Sequence, residues 1–193
     1  CGRPCDVHEV RLRDRVGAVK ETQEEMAMRE YRLLRDLQRI GLPAVVPQAV
    51  VAGRTDTARE ELPAALLTHH LRFSLPYRSL FTHGVTAEHV PSLIDAMVVL
   101  LVRLHLAGFY WGDVSLSNVL FRRDAGGFAA YLVDAETGEL RPHLSDSMRE
   151  YDLTVGCENV FAELLDLQAS DEVYEEMHAH DIIELFAKRY HEL

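Results

Sequence analysis

The apolar positions of this chain change rhythm near residue 90. Before that point they fall in short runs separated by polar and turn-rich stretches. Residues 16–19 (Val-Gly-Ala-Val) predict a short strand ending at Lys20. Thr22-x-x-Glu25 has the spacing of a capping box, and Glu21 and Glu24 suit a helix N-terminus. The predicted helix reaches Ile40, where Gly41 and Pro43 stop it. Its apolar stripe is Met26, Leu33, Leu37 and Ile40, with Leu34 beside it. Steps of four and three put Glu30 on that same stripe. Arg29, Arg32, Arg35 and Arg39 fall on other faces. Residues 44–52 and 64–71 are β-rich, the second run ending in His69 and His70. These segments predict one helix packed on a small sheet. Residues 74–84, which include Pro76 and Gly84, read as a connector. The first dozen residues give no assignable pattern.

From Pro91 the pattern becomes helical. Pro91 fits a first helical turn. Leu93, Met97, Leu100, Leu104 and Ala107 repeat at helical spacing, and Gly108 closes the helix. Two β-like runs follow, 119–121 and 129–133, with Asp124-Ala-Gly-Gly127 as a hairpin loop. The rest predicts two helices, 145–167 and 171–191, the first with Leu153, Val160, Leu164 and Leu167 on an apolar side. A β-rich first part and a helical second part make an α+β chain.

Composition narrows the picture. The chain has 193 residues, 48% hydrophobic and 26% charged, which suits a globular protein with one core or two lobes. The best membrane-span candidate, 93–111, is broken by Asp95, Arg103 and His105, so no span is expected. No signal-peptide pattern opens the chain. The three cysteines, Cys1, Cys5 and Cys157, form no zinc signature and fit reduced thiols in the cytoplasm. The net charge of −11 arises entirely after residue 134, where 15 acidic side chains meet 4 basic ones. Such a region repels nucleic acid, and its acids read as a solvated helix surface. Of 20 basic residues only Lys20 and Lys188 are lysines. A compact ammonium suits a monodentate phosphate contact.

The stretch Trp111-Gly-Asp-Val-Ser-Leu-Ser-Asn118 carries the clearest chemistry, together with Leu132-Val-Asp-Ala-Glu136. Asp113 and Asn118 flank a short loop, and Asp134 ends the second strand of the hairpin. Pairing brings the start of one strand beside the end of the other, so Asn118 and Asp134 should meet with Asp113 close by. Two hard oxygen ligands suit Mg²⁺, and a third carboxylate can accept a proton. Alone, each of these residues is ordinarily a turn or cap. The joint spacing is what points to a site. Glu136 either joins the metal ligands or is solvated.

Asp-x4-Asn, a hairpin and then Asp resembles the catalytic-loop pattern of protein-kinase-like folds. More narrowly, these two stretches look like a bacterial lipopolysaccharide-kinase-like family. Arg29-Glu-Tyr-Arg-Leu-Leu-Arg35 and Phe73-Ser-Leu-Pro-Tyr77 share that likeness. The resemblance implies a two-lobed kinase-like fold, with an N-lobe at 1–70 and a C-lobe at 71–193. It implies ATP and Mg²⁺ as cofactors, Asp113 as catalytic base, and Asn118 and Asp134 as metal ligands. Lys20 would contact the nucleotide phosphates and pair with Glu30. The chain departs from the pattern at several places. No Gly-rich loop precedes Lys20, Gly112 stands before Asp113 where Arg is common, Ser115 replaces a frequent Lys, and Ala135-Glu136 replaces Phe-Gly. The implied activity is phosphoryl transfer from ATP to an unidentified hydroxyl on a small molecule or protein. A nucleotide-binding pseudokinase is the alternative, and a scaffold without nucleotide is the third.

Overall fold

The computed structural model describes residues 7–12, 15–83, 87–124, 127–169 and 178–193. The chain divides into two compact units, Cys1–Arg72 and Phe73–Leu193. Both mix helices with small antiparallel sheets, so the α+β class is observed.

The first unit holds strands β1 (Val7–Leu12), β2 (Arg15–Thr22), β3 (Pro47–Val51) and β4 (Ala64–His69), and helix α1 (Glu24–Arg39). Its sheet runs β1-β2-β4-β3, each neighbour antiparallel. Lys20 therefore sits on an inner strand, paired with Leu66. Thr22 is drawn into the ladder opposite Ala64, so it does not cap α1. Gln23 takes the N-cap place without a side-chain hydrogen bond. At the other end, Gly41 is left-handed (φ 73°). Leu42 N–H reaches Leu37 O and Gly41 N–H reaches Gln38 O, closing a Schellman motif. The buried stripe of α1 is Ala27, Glu30, Leu34 and Leu37. It is rolled about the helix axis from the expected one, and Ile40 is exposed. Glu30 faces inward as expected, with Lys20 as its partner, and the small Ala27 beside it is fully enclosed.

The second unit begins with β5 (Ser74–Pro76) and α2 (Tyr77–His83), where a connector was expected. Gly84 of that connector lies outside the described residues. Helix α3 (Val90–Leu106) has Pro91 in its first turn and is buried on several sides, with Ala96, Met97, Val98, Leu100 and Leu101 all enclosed. Then come β6 (Phe109–Tyr110), β7 (Val119–Asp124), β8 (Gly127–Leu132), β9 (Glu139–Leu140), α4 (Asp146–Ala169) and α5 (Ala179–Glu192). The predicted start of the last helix, 171–177, and the hairpin tip, 125–126, lie outside the described residues. One sheet runs β5-β7-β8, and β6 pairs with β9. Helix α3 packs on β8 and α5, and α4 packs on α5. Trp111, Phe109, Val114, Leu132, Val160 and Phe186 fill the core between them. Among the described residues no helix is long and apolar enough to cross a membrane.

Candidate functional site

Asp113 lies in the loop between β6 and β7. The loop is entered through Gly112 (φ 79°), where a Cβ would press on Tyr110 and on the Thr137 carbonyl. Asn118 Nδ2 donates to Asp113 Oδ2 and to the Asp113 carbonyl, both at 3.0 Å. Both partners only accept, so the amide orientation follows from chemistry and Oδ1 is the atom left for another ligand. The main chain of Asn118 continues the hairpin: its carbonyl accepts Val133 N–H at 3.0 Å, beyond the Val119–Leu132 pair. Asp134 is the next residue. The hairpin thus brings Asn118 alongside the segment carrying Asp134, and the Asn118 amide ties Asp113 to the same end. Asp134 Oδ1 accepts Glu136 N–H at 3.1 Å. Carboxylate oxygens of Asp134 and Glu136 come within 4.8 Å of each other. Asn118 and Asp134 offer hard oxygen donors of the kind Mg²⁺ takes alongside phosphate and water, so this donor set fits that ion.

Three polar residues of α4 that sequence reading missed reach the same loop. Asp152 is fully enclosed and accepts the N–H groups of Trp111 and Gly112, each at 2.7 Å. Its Oδ2 also lies 3.0 Å from His105 Nε2. The second ring nitrogen of His105 is 2.6 Å from the Tyr190 hydroxyl. Burial pushes the Tyr190 phenol above its ordinary value. Glu163 accepts Leu116 N–H at 2.7 Å and Ser117 N–H at 2.9 Å. Asn159 contacts Asp113 Oδ1 and the Val114 carbonyl, both at 3.1 Å. Asp152 is therefore one acid of the charged C-terminal region that is not solvated. Ser115 is buried, its Oγ 3.2 Å from Ser117 Oγ.

In the first unit, Lys20 Nζ is 3.0 Å from Glu30 Oε2. Glu30 is fully buried and Lys20 nearly so. A buried carboxylate without a cation would be costly, and the strand lysine supplies the charge from directly beneath the helix.

The lipopolysaccharide kinase (Kdo/WaaP) family model matches residues 12–172. Among solved structures, the chain is similar to WaaP in complex with acyl carrier protein. That match has a TM-score of 0.58 and 16% identity, covering 96% of this chain and 82% of the other. At that identity the likeness concerns the fold. No curated protein matches the chain at a significant level.

Proposed function

The chain belongs to the lipopolysaccharide kinase (Kdo/WaaP) family, and from that premise we propose that it transfers the terminal phosphoryl group of ATP to a hydroxyl acceptor. One observation supports the reading above all. The Asp113 carboxylate is held by the Asn118 amide at the end of the hairpin that continues into Asp134. Asp113 would orient the acceptor hydroxyl and take its proton. Asn118 and Asp134 would hold Mg²⁺. When bound, that ion supplies charge neutralisation at the phosphate oxygens. Lys20, kept in place by Glu30, would contact the phosphates. On this reading residues 1–70 form the N-lobe and 71–193 the C-lobe. Catalysis of this kind is mostly positioning and electrostatics. The acceptor is not fixed by fold or motif.

A specific observation favours a second reading. Ser115 is a buried serine turned to Ser117, so that position sends no cation towards a phosphate. A module that binds Mg-ATP without transferring phosphate would tolerate this.

Thermal shift and phosphate release separate the readings. Mg-ATP should raise the melting temperature of the wild-type chain. Asp134→Ala should remove that shift. Asp113→Ala should keep the shift and lower phosphate release by about 10²–10⁴-fold, the usual range for a proton-transfer residue. A shift without phosphate release selects the pseudokinase. No shift in the wild type ends both readings.

A further inference from the structure

We propose that Asn159, on α4, is a positioning residue that fixes the Asp113 carboxylate for proton acceptance. This deepens the kinase reading above and rests on it.

The argument begins with the carboxylate. Asn118 Nδ2 holds Oδ2 and Asn159 Nδ2 holds Oδ1, at 3.0 and 3.1 Å. A carboxylate held at one oxygen can turn about its last torsion, which is broad and two-fold. Held at both, it has one orientation. Asn159 reaches its own geometry through its second N–H, which donates to the Val114 carbonyl. Its partners are a carboxylate and a carbonyl, both acceptors, so the amide nitrogen must face them.

The helix is built to deliver this contact. Asp152, Gly156, Asn159 and Glu163 follow one another at steps of four, three and four, the spacing of one helix face. They address the loop in order: Trp111 and Gly112, then Val114, then Asp113 with Val114, then Leu116 and Ser117. At Gly156 a Cβ would stand 2.8 Å from Val114 Cγ1. The missing side chain lets α4 come close enough for Asn159 to reach Asp113. The anchors at either end bind backbone and hold the loop. Asn159 alone among the four binds the reacting carboxylate.

The test is a double-mutant cycle read as phosphate release from Mg-ATP, with water as acceptor. Asn159→Ala should lower kcat about 10–100-fold, the size expected of a displaced catalytic group. The KM for Mg-ATP and the Mg-ATP melting shift should not change. In an Asp113→Ala background the same substitution should change the residual rate by less than about twofold, because its effect passes through Asp113. A merely structural role would cost activity in both backgrounds. Should Asn159→Ala fail to fold, Asn159→Asp supplies the same cycle through stability. It sets a second carboxylate against Asp113 and should lower the melting temperature, and Asp113→Asn in the same chain should recover most of that loss. An active wild type with an unaltered Asn159→Ala rate, or losses that simply add in both cycles, overturns this proposal alone. A wild type that releases no phosphate refutes the kinase reading and carries the proposal with it.

Discussion

Replacing Asp152 with Ala should unfold the second unit at much lower denaturant than the wild type requires. Asp152 is fully enclosed and accepts the N–H groups of Trp111 and Gly112 while contacting His105 Nε2. Alanine offers no acceptor to any of them. Each buried donor left unpaired costs about 1–3 kcal/mol, so the two backbone groups alone give about 2–6 kcal/mol, and His105 adds to it. A domain's entire stability is typically about 5–15 kcal/mol, so the effect is a large share of the whole. The molecule carries its own reporter. Trp111 is the single tryptophan and is fully buried. Its emission during urea titration follows the second unit, whatever the first unit does. Asp152→Asn should fall between the two, since one amide oxygen can still accept a single N–H. Hydrogen exchange at Trp111 and Gly112 should accelerate in step. An Asp152→Ala chain within about 1 kcal/mol of wild type by Trp111 emission would refute the reasoning, because surface substitutions already produce changes of that order.

Glu30→Ala should destabilise the first unit by up to about 3–5 kcal/mol, since it removes one member of a buried ion pair. The pair Lys20→Met with Glu30→Leu should cost far less, and circular dichroism melts that rank the pair with the single change would contradict this. Gly108→Ala should cost about 1–2 kcal/mol for the left-handed backbone alone. More is added because its Cβ would meet the Arg141 carbonyl at 2.0 Å, a backbone atom that cannot swing aside. A melting temperature equal to wild type would count against it. Tyr190 is raised above its ordinary 10.0 by burial first, then by nearby acids against Arg149. The folded state therefore holds this proton more tightly than the unfolded one. Its contribution is complete below the ordinary value and is lost as pH rises beyond it. Tyr190→Phe should flatten part of the alkaline fall in melting temperature, and unchanged curvature would argue otherwise.

Local signals were legible and distant ones were not. Helix α3 announced itself through Pro91, a steady apolar repeat and Gly108, all within one segment. The hairpin of β7 and β8 was readable because its two strands are neighbours in sequence. Residues 74–76 became a strand only by pairing with Leu120, Phe121 and Arg122, far along the chain, with Pro76 admitted at the edge. Strand β1 likewise exists through its partner β2 rather than through any pattern of its own. The α1 stripe was read partly off its true line because apolar periodicity ranks Met26 and Leu33 above Ala27 and Leu34, while Glu30 and Leu37 lie on both the expected and the observed stripe.

The site divides along the same line. Asp113, Asn118 and Asp134 stand out because side chains of defined type recur at defined spacing around a local hairpin. The α4 residues have no such mark, since Asp152 and Glu163 bind backbone N–H groups, and any loop sequence supplies those. What the sequence does hold is a second stripe. Leu153, Val160, Leu164 and Leu167 form the buried apolar side of α4. Asp152, Gly156, Asn159 and Glu163 run next to it, offset by one residue. A helix with a polar stripe alongside its apolar one, and a glycine within that stripe, has two inward faces instead of one. Counting its acids as solvent-facing overlooks that the core needs acceptors wherever a loop turns its N–H groups inward. The acidic surplus after residue 134 is therefore in part structural. The polar stripe of α4 supplies the acceptors and the amide donor that set the shape of the loop bearing Asp113.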